Sequence, residues 1–590
     1  MQSSPVSCSH RPRRRDKRPD FHRQVPIKFF TGAAQSSLLI GDLPIYYRGM
    51  FHFLKFSKLG GLALMLAFTS RLCAADEPSR PIAAVLPDFT QVAKWHDSNG
   101  DTADPFWADD DQLYHFMCDG RGFGTQPRNF CFNKLTGTDL ACLKGELVNA
   151  MDDYGKTGAS EQDGANWKVT GQECIDGVFY AFVSRNKYGK HSKDPLLRQT
   201  SFNASLIKST DHGLTWTRSA KENYAAPMWP GSRFGAPGFI HYGRNGGEVK
   251  RDGADRWVYA LSNNGFWNGG DDLILARVQR TDLPKLNAAD WQYFTGGDGL
   301  AETAWTSDLA KAVPVVNRPA KLGWTAPVFV PALNRYLLVS WYVTPKLKAW
   351  FTPESVVYEF FESPHPWGPW TMTGGSFDDR FLGGGHMYGP NLCAKYQERV
   401  AVERGADGLT GRSALAGADG GVKVELFTSG CPFQNVPGGL YKMWRIPLML
   451  RTQPLPAVVA EVNDSDPAVK FSKEWQVVAQ TNSHDFHGDV HFTRSPGATA
   501  EFTFTGTGVE VLAQRYADSA EIKISLDGRA RGTVNLALAN FPRLVQTPVF
   551  RAEGLPVGEH RLKVEVQSKG TVSLDGFRVL GKAQQIPPHS

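Results

Sequence analysis

Three features of the 590-residue chain predict an all-β protein, a five-bladed β-propeller followed by a β-sandwich domain. The composition is turn-rich and aromatic, with 59 Gly, 37 Pro and 16 Trp, and 41% hydrophobic against 21% charged residues. That balance excludes a disordered or collagenous chain and a polytopic membrane protein. A proline-marked strand start recurs at sheet-sized spacing between residues 80 and 450, and strict apolar–polar alternation then runs through 470–582.

The basic excess belongs to the amino terminus. Lys and Arg number 65 against 59 Asp and Glu, a net charge of +6. Residues 1–49 carry nine basic side chains against three acids, and residues 50–75 add Lys55, Lys58 and Arg71 with no acid, so the remainder sums to −3. From Met50 the sequence has a basic start, an apolar run over 59–68 and the small residues Ala74 and Ala75 before Asp76. This is the layout of a secretory signal peptide, with an apolar run too short for a permanent membrane span. A secreted or periplasmic protein is expected, with residues 1–49 a disordered over-extension in front of the true start at Met50. Removal of residues 1–75 takes away the electrostatic case for a nucleic-acid partner; neither nucleic acid nor stable membrane insertion is expected. Six cysteines then remain, Cys118, Cys131, Cys142, Cys174, Cys393 and Cys431. An even count in an exported chain favours disulfides, with connectivity left open. Their spacing offers no zinc site.

The repeat builds the propeller, expected over 80–452. Pro105, Pro237, Pro327 and Pro390 each follow a small or short residue and open an apolar strand. Proline lacks the N–H that a central ladder needs, so it marks strand starts. A second strand follows Pro105 at Tyr114 and Pro327 at Tyr336, nine residues on in each case; nine residues before Tyr180 stands Gly171, the missing fifth start. Starts at 105, 171, 237, 327 and 390 are 66, 66, 90 and 63 residues apart, which makes five blades. Further strands are expected at 114–117 in blade one, 178–183 and 204–208 in blade two, and 257–261 and 273–278 in blade three. Blade four should add 336–341 and 356–361, and blade five 422–427 and 441–446. In blade two, Ser209, Asp211, Gly213, Thr215 and Trp216 form an S-x-D-x-G-x-T-W box, a tight structural hairpin whose Trp packs between sheets. After a Pro-rich linker at 453–469, the alternation at 500–505, 522–528 and 554–564 argues a two-sheet antiparallel sandwich.

In a propeller, the starts of innermost strands and the ends of second strands meet on one face. This sorts the acids. Asp109, Asp110 and Asp111 fall in a hairpin of the opposite face and read as turn residues. Asp104 stands before Pro105, where the other blades carry Thr170, Ala236, Ala326 and Gly389, so only blade one places a charge in that ring. A carboxylate near the axis, tunable by its neighbours, suits a catalytic base. The same face should receive Asp119, Arg121, Arg185, Asn186, Asn263, Asn264, Asp271, Asp272, Trp341 and Tyr342. Acids, guanidinium forks, amides and rings together suit a sugar site. Glu173, Glu302, Asp379 and His386 are further candidates on that face.

The run Ala103-Asp104-Pro105-Phe106-Trp107, with Tyr114 nine residues after the proline, resembles the first blade of five-bladed arabinanase and β-xylosidase type glycosidases, a likeness that implies Asp104 as general base. The chain is also similar, from about 100 to 450, to a bacterial propeller group related to endo-D-arabinanases. The likeness lies in Asp119-Gly120, Val183-Ser184-Arg185-Asn186, Phe234-Gly235-Ala236-Pro237, the run 272–278 and the Ser363-Pro364-His365-Pro366-Trp367 segment. That group often places its Asp three residues earlier, here Asp101, so Asp101 and Asp104 compete. The arabinanase type carries a Glu acid near the start of blade three, where this chain has Arg233. The resemblance further implies a structural calcium ion in the axis, and the C-terminal region resembles galactose-binding-like jelly-roll modules.

These readings converge on an exported, monomeric glycoside hydrolase acting on a polysaccharide or oligosaccharide. Asp104 or Asp101 supplies one carboxylate, and Asp119, Glu173 or Asp272 the other. Arg121, Arg185, Asn186, Asn263, Trp341, Tyr342 and His386 are the expected sugar contacts. A glycan-binding propeller without catalysis is the alternative, and a sialidase-like enzyme, prompted by the Asp box, the weaker one.

Overall fold

The computed structural model describes residues 78–581 except 96, 139, 141–142, 189–197, 248–250, 345–354, 403–407, 431–438, 440, 480–483 and 540–542. The expected over-extension, the signal segment, Cys142 and Cys431 lie outside the described residues.

Among the described residues five antiparallel sheets form the propeller, one fewer than the six blades that a sialidase-like reading needs. Blade one contains Asn99–Asp101, Phe106–Trp107, Leu113–Gly122, Arg128–Thr136 and Lys144–Asn149. Blade two has Asn166–Ile175, Val178–Lys187 and Thr200–Ser209. Blade three runs from Ala236–Phe239 through Trp257–Asn263 and Gly270–Gln279, and blade four from Val328–Val330 through Arg335–Val343 and Val356–Ser363. Blade five has Met387–Val400, Gly421–Gly430 and Met443–Arg451, and its edge is covered by Ala84–Pro87 from the start of the described chain, Ala84 opposite Arg451. First and last strands thus share one sheet, which closes the ring.

The inner strands approach each other closely enough to restrict their residues. A Cβ on Gly171 would overlap the Gly238 Cα, and a Cβ on Gly238 would stand 2.8 Å from the Thr325 carbonyl oxygen. This contact at the axis is the physical reason for the small residues in the repeat. Blades three and four are also tied backbone to backbone, with His241 N donating to Pro327 O and Phe329 N to His241 O, each at 2.9 Å.

The middle strands are buried on both faces, so they are nearly continuously apolar. Tyr336 and Leu338 face blade three in a cluster with Tyr259, Leu275 and Phe361, while Leu337 and Val339 face blade five with Leu426, Trp444 and Ile446. Phe106, Phe116, Phe132 and Phe179 fill the space between blades one and two, where the Asp box also lies. Within that box Ser209 Oγ donates to Asp211 Oδ1 (2.7 Å), Gly213 N to Ser209 Oγ (2.8 Å), and Trp216 packs on Phe132 with ring centroids 5.2 Å apart. The motif is a structural hairpin.

The C-terminal region, expected as a two-sheet sandwich, is built of strands. It is one hydrogen-bonded network of ten strands, including Leu409–Thr410 from blade five's connection and Ala457–Asn463 from the stretch read as linker. Its long strands Thr499–Arg515 and Leu544–Val566 pair across register breaks at Gly506/Gly508, Val511/Leu512 and Ala513/Arg515. Bulges of this kind bend strands, and the alternating residues Phe502, Phe504, Ile522, Ile524, Leu562 and Val564 share one core. The network joins the propeller through Arg451 of blade five, whose guanidinium makes two bonds to Glu553, at 2.9 and 3.0 Å.

The disulfide expectation is corrected for four of the six cysteines. Cys118, Cys131, Cys174 and Cys393 are free and buried, placed as small apolar residues inside the blades.

Gly213 has φ 89°, and a Cβ there would overlap the Phe132 ring. Gly213→Ala is expected to destabilise the protein by about 2–4 kcal/mol, from left-handed backbone strain plus overpacking, read as a lowered midpoint in urea unfolding.

Candidate active site

Two charged clusters occupy the axis at different depths. The deeper one joins three blades. Asp104 precedes the inner strand of blade one, Glu173 lies on that of blade two, and His241 follows that of blade three. His241 Nδ1 is 2.7 Å from Glu173 Oε2 and Nε2 is 3.2 Å from Asp104 Oδ1, with all three side chains at most 2% exposed. Gln172 Nε2 donates to the Asp104 carbonyl oxygen at 2.6 Å, while Asp104 Oδ2 is buried without a partner. Burial opposes an imidazolium here, but the Asp104 and Glu173 carboxylates outweigh it and push the His241 pKa up to about 10. Burial raises the Glu173 pKa, against the pull of His241. The cluster is a buried cation clasped by two carboxylates.

The second cluster is built from strand starts and strand ends on the face expected for a ligand. Asp101 Oδ2 accepts from Tyr388 Oη at 2.5 Å and from Tyr441 Oη at 3.2 Å. Asp119 Oδ2 accepts from Tyr188 Oη at 3.0 Å and is ion-paired with Lys168. Asp101 stands opposite Cys118 in the blade-one ladder, so the two acids are neighbours. Oδ1 of each is buried without a partner. Burial pushes the Asp101 pKa up to about 6; Asp119's charge adds to this, while Lys168 and the two tyrosines oppose it. For Lys168, burial works against the ammonium, yet Asp119, Tyr188 and Asp101 hold its pKa well above the usual value. A carboxylic acid titrating near neutrality beside an ion-paired carboxylate can divide proton donation from charge stabilisation.

The other candidate residues have structural partners. Asp272 receives two bonds from Arg233, the arginine at the start of blade three, at 2.9 and 3.1 Å. Arg185 is buried, paired with Asp163 at 2.8 Å and packed on Trp167. Arg121 closes a turn onto Gly124 O, and Asn263 ties together the backbone of Gly265, Phe266 and Leu322. Asn186 bonds Ser201, and Asn264 bonds Asp271. Trp341 is fully buried, donating to Trp324 O, and Tyr342 donates to Glu359. His386 pairs with Asp379, and Glu302 with Arg277. In the opposite hairpin Asp109, Asp110 and Asp111 bond His212, Lys134 with Tyr114, and Trp107.

Lys168, Tyr188, Tyr388, Tyr441 and His241 were not among the expected site residues. Lys168 had a legible signal, the one basic residue of the fully buried inner strand Asn166–Ile175. So did Tyr388, two residues before the proline of the fifth repeat.

The axial calcium that the resemblance implies does not fit the described residues. Calcium takes six to eight oxygen ligands, whereas here both ring nitrogens of His241 face the two carboxylates and Asp104 Oδ2 is the one oxygen of the triad left over. Among the described residues no group of three or more His, Cys, Asp or Glu forms a metal cage.

The chain is thus a five-bladed β-propeller with a carboxylate cluster at its axis. No family model matches it. Over 130 residues it is 29% identical to the A type blood N-acetyl-alpha-D-galactosamine deacetylase of Flavonifractor plautii, covering 22% of this chain and 16% of that protein. Over 116 residues it is 29% identical to the A type blood alpha-D-galactosamine galactosaminidase of the same organism, covering 20% of this chain and 10% of that protein. The chain therefore spans less than a fifth of either relative. Among solved structures, the Phanerochaete chrysosporium exo-beta-1,3-galactanase aligns at 11% identity and TM-score 0.35, over 85% of this chain and 99% of that one. A Bacillus subtilis glycoside hydrolase family 43 arabinoxylan arabinofuranohydrolase aligns at 11% identity and TM-score 0.29, over 82% and 96%.

The raised His241 pKa gives the folded state a stabilisation that is complete below the unfolded value near 6.5 and is lost as pH rises through about 10. His241→Leu should therefore cost about 3–5 kcal/mol at pH 7, because it leaves two buried carboxylates unpaired. The gap from wild type should narrow between pH 7 and 10, as read from urea midpoints.

Proposed function

We propose that the chain is a carbohydrate-active hydrolase, a glycosidase, whose reacting pair is Asp101 and Asp119. The observation that carries this reading is the pairing of two neighbouring carboxyls at the axis, each with a partnerless buried oxygen, in unlike environments. Asp101, with a pKa near 6, is the group that donates a proton to the leaving oxygen. Asp119, ion-paired with Lys168, is the group that stabilises or attacks the anomeric centre. Tyr388 and Tyr441 orient the Asp101 carboxyl. Asp104, closed in by His241 and Glu173, acts as a positioning residue three positions downstream of the acid.

The curated relatives support carbohydrate chemistry, and their names point to galactosamine-bearing glycans as substrates to test first. The amino-terminal pattern supports export to where such glycans occur. A glycan-binding protein without catalysis is the second reading, favoured by Arg233 standing where the arabinanase-type resemblance implies an acid.

The test is incubation of the chain with arabinan, galactan, arabinoxylan and mucin glycans, with reducing sugar and acetate both measured. Asp101→Asn and Asp119→Asn should each lower kcat by about 10²–10⁴; the thermal midpoint of Asp101→Asn stays close to wild type, whereas Asp119→Asn also lowers it, because the buried Lys168 loses its ion pair. Activity should fall as pH rises through about 6, as the Asp101 proton is lost. Glycan binding with no sugar released by wild type would overturn the glycosidase reading in favour of the binding one, and acetate without sugar would replace it with deacetylation.

A further inference from the structure

The opposite mouth of the axis holds a cavity of about 870 Å³, lined by residues from all five blades at the ends of their inner strands. Its walls combine rings, among them Trp107, Phe329 and Tyr396, with the polar side chains of Asp109, Arg244 and Gln397. A saccharide is recognised by this mixture, since aromatic faces take the C–H side of a sugar and planar polar groups take its hydroxyls.

Two details show that the wall is shaped rather than incidental. The inner strand of blade five loses register between Cys393 and Glu398, and Tyr396 within that break has φ 68°, a left-handed conformation unusual for a bulky side chain. Bulges re-aim side chains, and this one places Tyr396 and Gln397 on the cavity wall. Gln397 Nε2 donates to Phe329 O at 3.0 Å, which leaves its buried Oε1 without a partner. An unpartnered buried acceptor calls for a donor, and a sugar hydroxyl supplies one. Arg244 is exposed, with one arm on the Asp109 carbonyl oxygen. Asp109 Oδ1 is 2.8 Å from His212 Nε2, and Asp176 on the same wall is ion-paired with Arg280 at 2.8 Å.

We propose that this cavity is a second saccharide-binding site, separate from the Asp101–Asp119 cluster, that holds a neutral, hydroxyl-rich segment of glycan. It rests on the carbohydrate reading of the chain but not on catalysis. Bound there, a polysaccharide anchors the protein by the face opposite the reacting carboxyls.

The test is electrophoresis of the full chain through native gels containing arabinan, galactan, arabinoxylan or mucin. Wild type and Asp101→Asn should be retarded alike by at least one of these. Gln397→Met, which removes the acceptor at similar size, and Arg244→Ala, a change at an exposed position, should each weaken that retardation at least tenfold in apparent Kd. Retardation that is unchanged in both variants, or absent for wild type in every gel, overturns the proposal. The two readings fail separately. Retardation lost in the variants without any hydrolysis by wild type leaves the second site standing and removes the glycosidase. Hydrolysis lost in Asp101→Asn with retardation unmoved in the cavity variants does the reverse.

Discussion

One buried cation organises the centre of this propeller. The His241 imidazolium reaches Glu173 on one side and Asp104 on the other, so that three blades meet at a single residue with almost no solvent access. Its ring can hold both carboxylates only if the inner strands come close, and they do so because Gly171 and Gly238 have no side chains to keep them apart. Ring closure by Ala84–Pro87 on blade five completes the arrangement. Geometry and charge depend on each other here: the tight axis desolvates the triad, and the triad's mutual attraction offsets that desolvation.

The second cluster uses the same ingredients for a different end. Asp101 and Asp119 each retain an oxygen without a protein partner, and their neighbours differ. Burial, against the pull of Lys168 and the two tyrosine hydroxyls, lifts the Asp101 pKa to about 6, while Lys168 sits against Asp119. Two like carboxyls become unlike through surroundings alone, which is the usual basis of acid and base roles. Asp104 pairs with His241 while Asp101 takes the two tyrosine hydroxyls, so carboxylates three residues apart in sequence lie in separate environments.

Much of the architecture was legible in local pattern. Pro105, Pro237 and Pro327 marked strand starts because a missing N–H is a local fact, whereas Pro390 lies inside Met387–Val400, where the ladder breaks register between Tyr388 and Asn391 and so needs no N–H from it. The Asp box read as a hairpin because Ser209, Asp211 and Gly213 bond to one another within four residues. The site was legible only in part. Asp104, Asp119 and Glu173 followed from strand direction and face, while Asp101 came only from the resemblance to the bacterial propeller group. Asp272 and Arg185 had the right face too, but Arg233 and Asp163 hold them, and such pairings join residues 39 and 22 positions apart that no periodicity connects. The C-terminal alternation reports one buried face per strand but not how a long strand bends, and the register breaks along Thr499–Arg515 were not legible in it.

The sequence by itself determined blade number, the second strands and the small-residue ring, since these follow from backbone sterics and from which residues are apolar. It did not give Arg128–Thr136 and Lys144–Asn149 of blade one, and Gly171 lies within Asn166–Ile175 rather than at its start. Only the tertiary structure decided which acids meet which partners. Tyr388 reaches Asp101 across 287 residues and His241 reaches Asp104 across 137. A charge is tuned by groups within a few ångströms in space, and those neighbours exist only once the ring of blades has closed.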